Sequence, residues 1–414
     1  MIVIFVFILV LILGSLVNSY YVYELYSYLG VLILSASIII YISTRYKKFA
    51  DILLSAFFVR IAILFIDYYK ILPIIGSGSD SEYFYLIAAQ KARGVLSVDY
   101  LTNYTVFLTY LFKLIGPQRL FAQFINVLCS FGTIIYILKS INLSYSLTIK
   151  NKRRLVFLAA FTPQVVFFSG ILLREAIITL FLSISVYYFI RYFIRRRLSY
   201  LAFVFGSILI CAYFHSGMIM GLLAYAGLLM IYDNEKKQFV VSFSKIFSLL
   251  LVFSVMLIFL LSTSIFTGYF EGILNGEDSE QVMLEKLNYE TGAGSAYLTF
   301  INFDSPISVV LFLPLKIIYF LFSPMPWDVR NVTDIISFIF ESCVVLYLCN
   351  ITLRNITHKS KNHLCISIFI IFISLTILYS LGTSAAGTAI RHRDTILPVL
   401  IVAASFSFNN LRCK

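Results

Sequence analysis

The sequence predicts an all-α polytopic membrane protein, with about 12 transmembrane helices in a single transmembrane domain that covers residues 1–414. Hydrophobic residues make up 60% of the chain and charged residues only 13%, and the mean hydropathy is +0.93. A water-soluble domain of this length needs more polar surface than this composition provides. Aromatic residues, which favour the interfaces of a bilayer, make up 17% of the chain. Composition therefore excludes an ordinary soluble protein.

The predicted spans are the apolar runs whose length approaches or reaches that of a bilayer crossing. They cover residues 2–17, 24–43, 50–69, 119–138, 155–172, 176–193, 199–214, 217–232, 245–263, 333–353, 363–381 and 395–409.

Clusters of Lys and Arg orient these spans. They lie at 45–48, 139–154, 191–197, 236–245, 354–361 and 412–414. All of them fall on one side of the membrane if the N-terminus is cytoplasmic, and cytoplasmic segments carry an excess of basic residues. We therefore expect both termini in the cytoplasm. The same asymmetry accounts for the net charge of +12 without a nucleic-acid partner.

Two further apolar segments, 105–115 and 307–323, do not fit a simple crossing, because counting either one as a span would invert every later basic cluster. The second segment also contains Pro314 and Lys316. We expect both segments to form interfacial or re-entrant helices on the outer face. That face then carries two long loops, at 70–104 and 264–332.

The first outer loop contains two acids in a stretch rich in Gly and Ser, Asp80 and Glu82. A carboxylate here can act as a general base or hold a divalent cation, so Asp80 is the first catalytic candidate and Glu82 the second. The alternative is that both are solvated loop residues. The 6 cysteines form no CxxC pair and indicate neither a disulfide framework nor a metal site.

Two short outer turns add further polar residues. Arg174 and Glu175 are adjacent in the sequence, between two apolar runs. They can form a local ion pair, or Arg174 can bind an anion. His215 lies at the tip of the next turn. It can transfer protons, or it can be a hydrogen-bonded interfacial residue.

The entry to the last predicted span carries Arg391, His392 and Arg393 on the outer side, against the usual charge bias. Arginine suits a phosphate because its guanidinium donates paired hydrogen bonds. The alternatives are contact with lipid headgroups or pairing with Asp394. Carboxylates and cations on one face suit transfer from a lipid-linked donor, because a base activates the acceptor while cations stabilise the departing phosphate.

These stretches resemble GT-C glycosyltransferases, in particular the bacterial relatives of the protein mannosyltransferase and aminoarabinose transferase group. That resemblance is carried by DSEYFYLIAA at 80–89, LIGP at 114–117 and FINVL at 124–128. Four later stretches are similar to a less characterised branch of these bacterial membrane proteins: PQVVFFSG at 163–170, LREA at 173–176, FSPMPW at 322–327 and RHR at 391–393.

The resemblance implies an enzyme of the bacterial inner membrane that transfers a glycosyl group from a polyprenyl-phosphate-linked donor at the outer leaflet. It implies that Asp80 is the base or lies beside a metal, and that Arg391 and Arg393 contact the donor phosphate. The family's large soluble C-terminal domain has no counterpart in this sequence, so we expect 264–332 to recognise the acceptor. Other polysaccharide-assembly proteins are the implied partners.

The chain is also similar to O-antigen or capsule repeat-unit polymerases, which join lipid-linked oligosaccharides at the same leaflet. That similarity implies a role for outer-loop arginines and a histidine. The candidates are Arg174, His215, Arg330, Arg391 and Arg393.

A flippase for lipid-linked oligosaccharides is the non-enzymatic alternative. Such a transporter should show two similar halves and cations in a central cavity. No similarity between the halves is visible, and Arg60 and Lys316 are the basic residues that we place within apolar segments.

Overall fold

A computed structural model describes residues 6, 10, 20–74, 78, 80–95, 102–144, 147–233, 238–240, 242–245, 247, 295–301, 305–330, 332–357 and 362–407. The predicted spans 2–17 and 245–263 fall almost wholly outside these residues, as does the part of the outer loop 264–332 that precedes Ser295.

The described chain is mostly helical. The helices are α1 (Tyr20–Arg45), α2 (Ala50–Tyr68), α3 (Asp80–Ala92), α4 (Asn103–Ile115), α5 (Arg119–Asn142), α6 (Ile149–Phe161), α7 (Pro163–Ser169), α8 (Glu175–Arg195), α9 (Ser199–Phe214), α10 (Met220–Ile231), α11 (Pro306–Phe322), α12 (Val332–Ser337), α13 (Cys343–Thr357), α14 (His363–Leu381) and α15 (Ala386–Ser405). Short 3₁₀ segments cover Lys47–Phe49 and Ser216–Ile219, and a π-helical segment covers Phe338–Ser342. Strand β1 (Tyr232–Asp233) pairs antiparallel with β2 (Gln238–Phe239).

Some helical stretches are long and apolar enough to cross a membrane. Within the described residues there are 6: Glu24–Arg45, Lys47–Tyr68, Arg119–Asn142, Glu175–Arg195, Asp334–Ile356 and His363–Leu381. A helix suits such sequences because hydrocarbon offers no partner for backbone polar groups, which must be satisfied within the segment. The prediction of a mostly helical chain with membrane-length apolar helices is confirmed. The count of 12 spans, the outer-face position of 105–115 and 307–323, and the cytoplasmic termini stay predictions.

The predicted span 155–172 is not one continuous helix. Helix α6 ends at Phe161 and α7 begins at Pro163, because proline lacks a backbone N–H and is tolerated at the first position of a helix. The fully buried Arg60 of α2 donates to the carbonyl of Ala160 in the last turn of α6, at 2.9 Å, and to Ser130 Oγ at 3.0 Å. A cation therefore meets the negative end of the α6 helix dipole.

The predicted spans 363–381 and 395–409 imply an outer turn at 382–394, and the structure differs there. Helix α15 begins at Ala386, well before the predicted start of the last span at 395, so Arg391, His392 and Arg393 all lie within the helix. A helix places residues two apart on different faces, and Arg391 and Arg393 consequently have different surroundings.

The chain forms two compact units. Unit 1 comprises residues 1–138 and 149–180, and unit 2 comprises 139–148 and 181–414. In unit 1, α3 packs along α4, where Phe84 meets Tyr104 edge-on at 5.2 Å between ring centroids. In unit 2, α14 packs against α10, α11 and α15.

Candidate functional site

An ion-pair cluster in unit 1 joins the end of α2 to the first turns of α3 and α5. Arg119 Nη1 donates to both oxygens of Glu82, at 2.6 and 2.7 Å, and its Nη2 donates to Asp67 Oδ2 at 3.1 Å. Lys70 Nζ donates to Glu82 Oε1 at 2.6 Å, and Gln123 Nε2 donates to Asp67. The planar guanidinium of Arg119 can serve two carboxylates at once, which the point charge of a lysine does less well.

The same contacts set the ionisation of Glu82. Partial burial raises the pKa of its carboxyl, but the hydrogen bonds and charges of Arg119 and Lys70 outweigh that effect. The pKa of Glu82 therefore lies below its ordinary value, and the group is a carboxylate at neutral pH.

The first turn of α3 is also bonded to the turn that precedes α8. Ser81, fully buried, accepts a hydrogen bond from the backbone N–H of Leu172 at 3.2 Å. Asn126 of α5 donates to the carbonyls of Ile171 and Leu173, at 2.7 and 2.8 Å. Two side chains thus hold the backbone of 171–173 at the start of α3.

These bonds bring three predicted site residues into one neighbourhood of unit 1. Asp80 is the first residue of α3 and Glu82 the third, and both are half-buried. Arg174, half-buried, follows the 171–173 segment that Ser81 and Asn126 hold. Asp80 and Glu82 thus both lie in the first turn of α3, the end of the helix at which acidic side chains are favoured.

A divalent cation near Asp80 would need a suitable ligand set. Within the part of the chain that the structure describes, no group of three or more His, Cys, Asp or Glu side chains could hold a metal ion. The carboxylates of Asp67 and Glu82 are bonded to cationic side chains instead.

A cluster of three rings forms in unit 2 from residues far apart in sequence. His215 lies at the C-terminal end of α9, Tyr379 in α14 and His392 in α15. The rings of Tyr379 and His392 stack with centroids 4.5 Å apart, and His215 meets them edge-on at 5.2 and 4.9 Å. The Tyr379 hydroxyl contacts Met218 Sδ at 3.0 Å, which fixes the ring against the turn after α9.

Arg393 belongs to a different, fully buried polar group. Its side chain and that of Glu341 are each 1% exposed, and its Nη2 donates to Glu341 Oε2 at 2.8 Å. Its Nη1 donates to the carbonyls of Leu321 and Ser323, at 3.0 and 2.7 Å. Arg393 therefore joins α15 to the end of α11 and to the π-helical segment.

The pairing of these arginines with Asp394 was one of the sequence-based alternatives. Asp394 is buried, and its two carboxylate oxygens accept no hydrogen bond from any residue that the structure describes. Arg391, half-buried, lies two positions before Arg393 and next to His392 of the ring cluster.

Arg330 is held in its own helix-capping pair. Its backbone N–H and its Nε both donate to Asp334 Oδ2, at 3.1 and 3.2 Å. In the preceding loop, burial raises the pKa of Asp328, although Arg330 acts in the opposite direction.

A middle part of the long predicted loop 264–332, residues 295–297, is bonded to the start of α15. The Tyr297 N–H donates to the carbonyl of Ser384 at 2.9 Å, and the Ala386 N–H donates to that of Ser295 at 2.8 Å. The buried Lys316 of α11 donates to Ser384 Oγ at 3.1 Å. Residues 295–297, α11 and the first turn of α15 therefore form one framework within unit 2.

Several residues of these clusters were not among the candidates. Asp67, Arg119 and Gln123 complete the unit 1 cluster, and Tyr379 and Glu341 complete the two groups of unit 2. Asp67 and Glu341 were detectable, since each is an acid inside a predicted span, where a charge is normally paired or functional. Tyr379 gave no such signal, because tyrosines are abundant throughout the chain.

Comparison of the chain with protein-family models, with curated proteins and with solved structures found no match in any of the three.

Proposed function

We propose that the chain is a membrane glycosyltransferase that uses a polyprenyl-phosphate-linked sugar donor at the outer leaflet of a bacterial inner membrane, in cell-surface polysaccharide biosynthesis. The observation that supports this proposal is the convergence of His215 and His392, with Arg391 adjacent in the chain. An imidazole can transfer protons near neutral pH, and a guanidinium can bind a phosphate. The proposal includes about 12 spans with both termini cytoplasmic.

In this proposal each group has a definite task. A base removes the proton of the acceptor hydroxyl as the sugar's anomeric carbon leaves the donor phosphate, and a cation stabilises the charge that develops on that phosphate. Asp80 is the proposed base of unit 1, and His215 and His392 are proposed to exchange protons in unit 2. Arg174, Arg330 and Arg391 are proposed to meet anionic groups of the lipid-linked substrate.

Two candidates are better explained as positioning residues. Glu82 is bonded to Arg119 and Lys70, and these bonds orient the first turn of α3, where Asp80 lies. Arg393 is bonded to Glu341 and to two carbonyls inside unit 2. Arg393 cannot bind a phosphate without first giving up these partners, and Glu82 cannot act as a base or as a metal ligand without giving up Arg119 and Lys70.

Repeat-unit polymerisation is the second candidate function. The ring cluster of His215 and His392 favours it, because this alternative assigns the chemistry to a histidine and outer arginines. Both functions use the same class of donor at the same leaflet. They differ in whether one sugar or a whole oligosaccharide is transferred.

The proposal is tested in a deletion strain that carries single variants of the chain. Asp80→Asn and His392→Gln should reduce surface glycan while leaving the amount of membrane protein unchanged, because loss of an acid–base group slows transfer roughly 100-fold or more. His363→Gln is the matched control, since His363 lies at the start of α14 against Tyr232 and Phe239. Normal glycan from both Asp80→Asn and His392→Gln would refute the proposal.

The two arginines of α15 should behave differently. Arg393→Gln leaves Glu341 buried without its partner, which should destabilise the fold by about 3–5 kcal/mol and lower the amount of protein. Arg391→Gln should keep the protein amount and reduce the glycan, and Arg354→Gln, an exposed arginine of α13, is the control. Immunoblots of membranes measure the first effect. A normal level of Arg393→Gln protein would contradict the structural role.

The lipid-linked pool of the deletion strain separates the functions. A surface glycan that lacks one sugar indicates a single-sugar transferase, and an accumulated pool of complete single repeat units at the outer leaflet indicates a polymerase. Complete units trapped on the cytoplasmic leaflet would identify a flippase and refute the enzymatic proposal.

A further inference from the structure

The turn between α8 and α9 in unit 2 concentrates arginines at the end of a candidate membrane span. Arg191 and Arg195 lie in the last turns of α8, and Arg196 and Arg197 follow directly. None of them forms an ion pair with a side chain that the structure describes. We call residues 191–200 the arginine turn. The C-terminal end of a helix carries only about half a negative elementary charge, which is too little to balance four arginines.

Aromatic rings hold two of these arginines in defined positions. Arg191 donates to the hydroxyls of Tyr187 and Tyr200, at 3.1 and 3.0 Å, and lies 4.9 Å from the centroid of the Tyr200 ring. Arg196 lies 4.9 Å from the ring of Phe193 and 5.7 Å from that of Tyr232. A guanidinium has five N–H donors, so the two that Arg191 gives to tyrosine hydroxyls leave others for an anion, and contact with the rings limits the freedom lost on binding.

The backbone of the turn supports the same arrangement. Arg196 has a φ of 56°, in the left-handed region that residues with a Cβ rarely adopt. Its N–H still bonds to the carbonyl of Tyr192 at 2.8 Å, which closes the end of α8. Glycine is the usual residue at such a position. An arginine is therefore held there by its ring contacts at a conformational cost of about 1–3 kcal/mol.

Exposed apolar side chains surround the cations. Leu198 is 74% exposed, Phe203 is 53% exposed and Ile194 is 44% exposed. Apolar side chains next to arginine and tyrosine at the end of a membrane-length helix match the boundary of a bilayer, where acyl chains begin beneath charged headgroups.

We infer that the arginine turn is a binding site for the phosphate headgroup of an anionic phospholipid. Arg195, Arg196 and Arg197 neutralise the headgroup, the ring-stacked positions of Arg191 and Arg196 fix its orientation, and Leu198 and Ile194 contact the acyl chains. The turn lies on the side that the charge bias assigns to the cytoplasm, where anionic lipids give the membrane surface a negative potential. The inference is independent of the glycosyltransferase proposal.

The test uses the purified full chain in a neutral detergent, with phosphatidylglycerol as the probe and phosphatidylcholine of the same acyl chains as the neutral lipid. Native mass spectrometry counts the retained lipid. The triple variant R195Q/R196Q/R197Q should bind phosphatidylglycerol roughly 100-fold more weakly than the unmodified chain, the change expected when three cations near a headgroup are removed. Binding of phosphatidylcholine should not change.

The matched control is R45Q/K47Q/K48Q, which removes the same charge from exposed residues at the end of α1. It should stay within a factor of about 3 of the unmodified chain, because Arg45, Lys47 and Lys48 are exposed and the variant keeps Arg191 and Arg196 on their rings. An equal loss of phosphatidylglycerol affinity in the two triple variants would show that net charge alone explains the binding, and it would overturn the proposed site.

A charge-conserving variant tests the geometry, and it also covers the case in which the triple variant fails to fold. R191K/R196K keeps every positive charge and removes the planar groups that stack on the rings. It should bind phosphatidylglycerol several-fold more weakly. Unchanged binding of phosphatidylglycerol by this variant would overturn the inference. Displacement of the lipid by inorganic phosphate at equal concentration would also overturn it, because the ligand would then be a free anion.

Discussion

Arg119 connects two carboxylates from different parts of unit 1 through a single rigid group. Its two terminal nitrogens reach Glu82 and Asp67, and its guanidinium lies 5.6 Å from the centroid of the Tyr85 ring. Lysine would keep the charge at this position but could not present two parallel N–H groups in a fixed plane. Arg119 therefore determines the orientation of the α3 N-terminus relative to the end of α2.

The pKa of Glu82 predicts how this cluster responds to acid. Because the folded-state pKa is lowered, the contribution of Glu82 to stability is complete above the unfolded value of about 4.3 and is lost as pH falls through the folded value. Thermal unfolding of the unmodified chain and of Glu82→Gln, measured from about pH 3 to pH 7, should therefore converge at the acid end.

Arg119→Gln provides the control for that measurement, since it removes one of the two cationic partners of Glu82 and should weaken the same pH dependence, with Lys70 still in place. A stability difference between the unmodified chain and Glu82→Gln that stays constant with pH would contradict the role of the ion pair.

At the scale of elements, the close approach of α2 to the turn after α7 makes Gly170 a sensitive position. A Cβ at Gly170 would lie 2.7 Å from Ile63 Cγ2 and 2.8 Å from the backbone nitrogen of Leu64. Gly170→Ala must shift one of these segments and should destabilise the chain by about 1–3 kcal/mol. Since the 171–173 turn follows directly, activity should fall as well.

Gly206→Ala is the matched control, because a Cβ at Gly206 in α9 meets no atom within 4 Å. Removing a helix-interior glycine there should be neutral or stabilising by up to about 1 kcal/mol. Thermal unfolding midpoints of the two variants compare the effects directly, and equal midpoints would show that α2 and the turn can separate without penalty.

At the scale of the whole molecule, the proposed topology assigns a side to each exposed loop. In a chain whose cysteines are replaced by Ser, a membrane-impermeant maleimide should label Val95→Cys and Trp327→Cys in intact cells. It should label Leu198→Cys only after the membrane is permeabilised, because the positive-inside bias places the arginine turn in the cytoplasm. All three side chains are exposed, so labelling reports the side of the membrane. Labelling of Leu198→Cys from outside would invert the topology.

The sequence predicted the helical class, because composition and apolar runs decide that property locally. It also selected His215 and His392 separately, His215 at the tip of an outer turn and His392 within a cationic run that opposes the usual charge bias. Their contact depends on how α9, α14 and α15 pack, which no local pattern specifies. The different surroundings of Arg391 and Arg393 follow from helical geometry, because α15 begins at Ala386 and contains both residues. The sequence did not predict this difference, because the predicted span boundaries placed both arginines in a turn.

The buried pair of Arg393 and Glu341 has a consequence for the order in which the protein is assembled. Helix α15 carries Arg393 and Asp394 in its first half and is not among the candidate membrane spans within the described residues. Each charge at the centre of a helix costs about 2.5–3.5 kcal/mol on entry into a bilayer. Helix α15 should therefore be retained only after the segment that carries Glu341, which is made earlier, is already in place to receive Arg393. Helix α15 would thus be a late addition to unit 2 that depends on its partner segment.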